Sequence, residues 1–301
     1  MKRLAAIAIS VLFGIAACGS ANTVSAHSIS LAYKSGDSYK YALHFVLNYQ
    51  IGISSVGMTL PLNLDLSGKE AVKVNSVDSS GVADVTITIT DLSTKSVVNG
   101  TTTTTTTAST TINVKIGPDG RILSVNGSAL GNSSLPGISG TDSAFISAIL
   151  PDKPVKPGDT WSKTYDESNP TGSTGAVHVT TDNKYVKDET VGSVNAAVVD
   201  SKINATIDLK FDMSMLGGSG GTSLFPTGGS GGIQGLSMKG TVKSDVTSWI
   251  DSGARHIVKS HSTGSLDATL DFNLAPGATP QPGLSGPITF KGTQTLDMNP
   301  A

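Results

Sequence analysis

The residue types that could do chemistry are few and far apart. The five histidines, His27, His44, His178, His256 and His261, form no HExxH pair and no other close metal-ligand spacing. His256 and His261 stand five apart, on opposite faces of a straight strand, and His44 falls on the polar side of its own segment. A solvated strand face accounts for each of them more simply than a metal does. Gly217 to Gly221 and Gly228 to Gly232 both match the letters G-x-S-x-G. A nucleophile elbow needs a buried strand before it and a helix after it. Here the flanks are themselves rich in glycine, so a linker is the better reading. Asp84, Asp91, Asp208, Asp212, Asp267 and Asp271 mostly occupy alternate positions of strand-like runs, where they keep one face soluble. No calcium loop of the EF type is present. These patterns predict no catalytic residue, no metal site, no cofactor and no enzyme.

One residue does carry a chemical signal. Cys18 is the only cysteine, and it ends the run Leu12-Phe13-Gly14-Ile15-Ala16-Ala17-Cys18 behind a basic Met1-Lys2-Arg3 start. A charged start, a short apolar run and small residues before a cleavage point make a secretory signal. The apolar run is too short to span a bilayer, which takes about 20 residues. The cysteine placed directly after Ile15-Ala16-Ala17 resembles the lipobox of bacterial lipoproteins. That resemblance implies that Cys18 receives a diacylglyceryl group, becomes the new N-terminus and carries acyl chains such as palmitate. Two or more such chains anchor a protein stably. The expected location is the extracytoplasmic face of a cell membrane. Gly19, where an inner-membrane retention signal would have Asp, leaves an outer membrane open where the cell has one.

Cleavage before Cys18 removes Lys2 and Arg3 from the 21 basic residues, leaving 19 against 23 acidic ones, a formal charge of −4. No Lys/Arg cluster occurs, so nucleic acid is not an expected partner. With Cys18 lipidated no disulfide can form, and the remaining chain is long enough to bury a sizeable core. Charged residues are 15% and aromatics 5% of a chain rich in Gly, Ser and Thr. That composition suits β-structure with many turns.

The strands are legible as period-2 alternation. Residues 39–53 place Tyr39, Tyr41, Leu43, Phe45, Leu47, Tyr49, Ile51 and Ile53 on one side. The same pattern runs through 60–66, 82–90, 203–215 and 266–274. One oily and one wet face is the mark of antiparallel sheet. The fold class expected is all-β: long one-sided antiparallel strands in two similar halves, forming a half-barrel or a sandwich, with at most one or two short helices. Asp142 to Leu150 is the candidate helix, capped by Thr141 or Asp142 and stopped by Pro151.

The halves are suggested by an internal echo. Lys34-Ser35-Gly36-Asp37-Ser38-Tyr39 parallels Lys156-Pro157-Gly158-Asp159-Thr160-Trp161. The hairpin Ile112 to Ile122, with Asp119, Gly120 and Arg121 at its turn, parallels Val246 to Ile257, with Asp251, Gly253 and Arg255. The division expected is a signal peptide over 1–17, a lipidated cysteine and tether over 18–30, a first β half over 31–150 and a second over 151–301. Gly217 to Gly235 has glycine at nine of 19 positions and reads as a loop, as does the Pro-rich 275–287. The seven threonines of Thr101 to Thr107 suit an edge strand or an extended loop.

Lipobox, Gly-Asp turns and one-sided strands together resemble an uncharacterised group of extracytoplasmic bacterial lipoproteins. A more distant resemblance, of fold, is to lipoprotein-sorting carriers and mycobacterial lipid-carrying lipoproteins, half-barrels that hold acyl chains against helices; strong helices of that kind are missing here. Two function classes follow. One is a membrane-anchored structural or interaction module whose oily faces close on each other. The other binds or carries a lipid or another apolar ligand on the oily face, with Leu43, Phe45, Ile207, Leu209, Phe211, Met213, Met215, Leu270 and Phe272 as candidate lining. The membrane, through the anchor, is the one partner the sequence points to; it names no protein partner.

Overall fold

A computed structural model describes residues 25–98, 101–125, 147–167, 173–212, 233–274 and 286–301. Eleven strands form one antiparallel sheet: β1 (Ser38–Ile53), β2 (Met58–Val77), β3 (Ala83–Val98), β4 (Thr101–Ile116), β5 (Ile122–Val125), β6 (Thr160–Glu167), β7 (Ser173–Val191), β8 (Val194–Asp212), β9 (Ile233–Asp251), β10 (Ile257–Leu274) and β11 (Ile288–Pro300). Their order is β5-β4-β3-β2-β1-β11-β10-β9-β8-β7-β6. Each strand therefore pairs with its neighbour in sequence except β5 and β6, which form the two edges, and β11 pairs with β1. The sheet is a half-barrel and not a sandwich, since no second sheet faces it among the described residues.

Alternation decides which face turns in. On β8, Ile203, Ala205, Ile207 and Leu209 are 0–3% exposed, while Lys202, Asn204, Thr206 and Asp208 between them face water. Register then stacks inward residues across strands: Leu209 lies opposite Met238 of β9, which lies opposite Leu270 of β10. The curl brings the two sheet edges near each other. The Arg121 guanidinium, at the turn before β5, sits 4.7 Å from the centre of the Tyr165 ring on β6. Lys163 of β6 reaches Asp119 at 3.3 Å and Asp152 at 2.7 Å.

One end of the half-barrel is plugged by two irregular segments. The first, His27 to Tyr33, buries Ile29 and Leu31 at 3% each. It bridges to Val155 and donates backbone N–H groups to Pro118 O at 2.7 Å and Arg255 O at 2.8 Å. Arg255 hydrogen-bonds back to Ser30 through its side chain. The tether expected through residue 30 is thus already docked from His27 onward, because Ile29, Leu31 and Tyr33 continue a one-sided apolar pattern. The second segment, Ser147 to Leu150, runs through the interior with Ala148, Ile149 and Leu150 at 0% exposure. Inward hydroxyls satisfy its backbone: Ser248 Oγ accepts from Ala148 N–H and Ser201 Oγ from Ile149 N–H, both at 2.9 Å. Trp161 donates its indole N–H to Ile149 O at 3.1 Å. The helix expected over Asp142 to Leu150 is absent where the chain is described, at 147–150; the rest of it lies outside the described residues. Sheet serines take over the N–H groups that a helix would have paired with itself.

Residues 31–150 hold β1 to β5 and residues 151–301 hold β6 to β11, all in one continuous sheet. The two Gly-Asp turns are bonded alike. Lys34 N–H donates to Asp37 Oδ2, Gly36 N–H to Val74 O and Val74 N–H to Asp37 O. Lys156 N–H donates to Asp159 Oδ2, Gly158 N–H to Tyr185 O and Tyr185 N–H to Asp159 O. The glycine φ values are +92° and +96°, a region that glycine enters without strain. A register shift follows each partner, between Val74 and Ser76 and between Tyr185 and Lys187. The threonine run is strand β4, paired with β3 throughout, and β5 covers it only at Val114 to Ile116.

Candidate ligand-binding interior

Burial of the inward face changes along the strands. At the plugged end Val72 is 6% exposed, Val74 and Val85 0% and Tyr41 5%. On β2 the inward Leu66, Leu64, Leu62 and Leu60 are half-buried; on β1 Phe45, Ile51 and Ile53 are half-buried, with Leu47 and Tyr49 between them at 3% exposure. Phe272 on β10 and Ile288 and Phe290 on β11 are half-buried too. Among the described residues the large apolar side chains left exposed, Val56 at 54% and Met58 at 43%, flank the tight β1–β2 connection at the far end, away from the plug. There Ser54 to Val56 form a single 3-10 turn closed by Gly57 at φ +62°.

Polar groups are set into this interior sparingly. Tyr49 donates its hydroxyl to Gln294 Oε1 at 2.9 Å, and burial pushes the Tyr49 pKa up to about 12. The Tyr49 ring needs Gly292 beside it on β11, where an added Cβ would come within 2.4 Å of the ring. Tyr41 donates to Ile257 O at 2.6 Å, and burial raises both Tyr41 and Tyr33 far above the usual phenol range. Glu70 on β2 lies opposite Tyr41, on the inward side. Desolvation pushes its carboxyl up to about 7. Glu70 is missing from the candidate lining read off the sequence. Its signal was there: the alternation of Leu60, Leu62, Leu64 and Leu66, continued two by two, runs through Gly68 and Glu70 to Val72 and Val74.

The candidate lining residues divide by position. Ile207, Leu209, Phe211 and Leu270 belong to the buried core at 0–7% exposure, and Phe45 and Phe272 pack against it half-buried. Leu43 is half-buried on the inward side of β1, opposite Met298. Phe211 and Phe272 both pair with Leu236 of β9 across the ladder. Met213 and Met215 lie outside the described residues, as do Cys18 and most of the Gly-rich stretch 217–235.

The histidines serve the surface and the plug. His44, His178 and His261 pair on the outer face with Asp65, Asp166 and Asp297 at 3.0, 2.8 and 2.6 Å. His27 packs edge-on to Tyr185, its Nε2 3.1 Å from the hydroxyl. His256 stacks on Tyr39 at 4.3 Å, and its burial lowers its pKa. Among the described residues no three His, Cys, Asp or Glu side chains converge on a metal position, and no helix is long and apolar enough to cross a membrane.

No family model matches the chain, and no curated protein matches it. Among solved structures it is similar to DynF from the dynemicin biosynthesis pathway of Micromonospora chersina, at 9% identity and a TM-score of 0.22 over 92% of this chain and 86% of that one. A likeness of that size carries no argument. The fold defines an all-β, half-barrel protein with a single apolar interior.

Proposed function

We propose that the protein is a non-enzymatic lipoprotein of the cell envelope, anchored through Cys18, which binds a lipid or another apolar molecule on the inward face of its half-barrel. The observation that carries the binding reading is a run of half-buried apolar side chains on one part of the inward face. Leu60, Leu62, Leu64 and Leu66 of β2, with Phe45, Phe272 and Phe290, keep part of their surface uncovered, while the inward residues of β8 and β9 are packed dry. Uncovered apolar surface costs about 25 cal/mol per Å², so a ligand that covers it is stabilised by the same amount. Val56 and Met58 place two exposed apolar side chains at the β1–β2 connection beside that run, where an apolar molecule would arrive. The anchor reading rests on the lipobox-like Ile15-Ala16-Ala17-Cys18.

A structural or interaction module is the second reading. It is favoured by the tight packing of the second half, where Tyr185, Ile203, Leu209, Leu236 and Ile250 are all at most 2% exposed. Mass spectrometry of organic extracts from natively purified protein separates the two. A lipid recovered in stoichiometric amount, and a lower melting temperature once it is removed, support binding. An extract without lipid, together with no binding of an apolar fluorescent probe, leaves the module. For the anchor, Cys18→Ala is expected to leave the membrane fraction or to stall before maturation. A processed mutant that stays with the membrane refutes lipidation at Cys18.

A further inference from the structure

Glu70 is the only charged residue on the inward faces of β1, β2, β3, β10 and β11 among the described residues. Its position is particular. On one side along the same face stand Val72 and Val74, packed with Tyr33 and Tyr41 at the plugged end. On the other side stand Leu66, Leu64, Leu62 and Leu60, half-buried, with Phe45 opposite Leu66. The carboxylate thus sits where the dry core gives way to the uncovered apolar face. Among the described residues no hydrogen bond or ion pair reaches it; the titratable groups facing it are the neutral phenols of Tyr33 and Tyr41, and no cation is among its neighbours. Glu70 is half-buried, and an acid set among apolar side chains without a partner is costly. The ladder is also broken beside it. Ser67 pairs with Ser93 but Lys69 with Thr90, so Gly68 and the pair Asp91-Leu92 stand out of register, with Asp91 at φ +53°. Irregularities of this kind re-aim side chains and are frequent beside sites.

We infer that Glu70 is the headgroup contact of this interior, and that the ligand is a single-chain amphiphile whose polar end donates hydrogen bonds and carries no negative charge. A long-chain amine or alcohol fits this chemistry; a fatty-acid anion or an acyl phosphate does not, since its charge would meet Glu70 with no cation between them. The apolar chain lies along Leu66, Leu64 and Leu62 toward the far end. The inference rests on the apolar-ligand reading above.

The test is competition. The chain from residue 18 onward, carrying Cys18→Ala so that no acyl anchor is present, is loaded with N-phenyl-1-naphthylamine at pH 8. Dodecylamine, dodecanol and dodecanoate are then titrated in. The amine and the alcohol are expected to displace the probe at concentrations about tenfold or more below dodecanoate, the range of a hydrogen bond to a charged group. Glu70→Gln keeps the size of the side chain and is expected to abolish most of that preference, read as the ratio of the dodecanoate to the dodecylamine midpoint. If the probe binds but dodecanoate competes as well as the amine, or Glu70→Gln leaves the preference intact, the headgroup inference is overturned and apolar binding stands. If the wild-type chain binds neither probe nor competitor, both are overturned.

Discussion

Ser248 Oγ accepts the backbone N–H of Ala148 at 2.9 Å, joining residues 100 positions apart inside the half-barrel. Ser201 does the same for Ile149. Both serines are at most 1% exposed, so losing either hydroxyl strands a buried N–H group. Ser248→Val and Ser201→Ala are each expected to cost about 1–3 kcal/mol, read as a lower urea midpoint at unchanged slope. Midpoints equal to wild type would show that the Ser147 to Leu150 segment is not held in this way in solution.

Gly36 and Gly158 make a matched pair. An added Cβ meets nothing within 4 Å at either site, so only backbone strain at positive φ opposes a side chain. Gly36→Ala and Gly158→Ala should therefore destabilise by similar amounts, about 1–2 kcal/mol each, with asparagine tolerated better than alanine. Melting temperatures decide the matter; a large loss at one site and none at the other would break the equivalence of the two turns.

Phe211 is 7% exposed, near the end of β8 and opposite Leu236. Phe211→Asp puts an unpaired carboxylate into that apolar contact and is expected to cost more than about 3 kcal/mol, or to prevent folding. Phe211→Leu should cost no more than about 1.5 kcal/mol, as a hydrophobic exchange of similar volume. Equal denaturation curves for the Asp variant and wild type would place Phe211 outside the core.

Glu70 gives the protein a pH dependence of unusual sign for a carboxylate. Burial raises its folded-state pKa to about 7 from the ordinary 4.5, so the folded state holds the proton more tightly than the unfolded chain does. The favourable contribution is complete below about pH 4.5 and is lost as pH rises through about 7, amounting to at most about 3 kcal/mol. Tyr33, Tyr39 and Tyr41 nearby are raised above the usual phenol range and stay neutral throughout. Urea midpoints measured from pH 5 to pH 8 should fall more steeply for wild type than for Glu70→Gln. Parallel profiles would show that Glu70 is solvated.

The sequence by itself determined the strands, because a two-residue period is a local property of the chain. Tyr39 to Ile53, Ile203 to Phe211 and Leu266 to Leu274 needed no partner to reveal which side is oily. It determined the Gly-Asp turns as well, since positive φ at Gly36 and Gly158 follows from four neighbouring residues. What it left open depended on contacts between distant segments. A sandwich and a half-barrel share the same alternation; the choice is made by β11 pairing with β1 and by Arg121 meeting Tyr165 across the edges. Ser147 to Leu150 has the local pattern of a helix end, yet Ser201, Ser248 and Trp161 bind its backbone, and each lies on a different strand. Glu70 falls in phase with Leu60 to Leu66, so its inward side is legible in the sequence. That Tyr41 stands opposite it and Tyr33 is brought up beside it from the plug, leaving it half-buried, is decided only by the register and the tertiary structure.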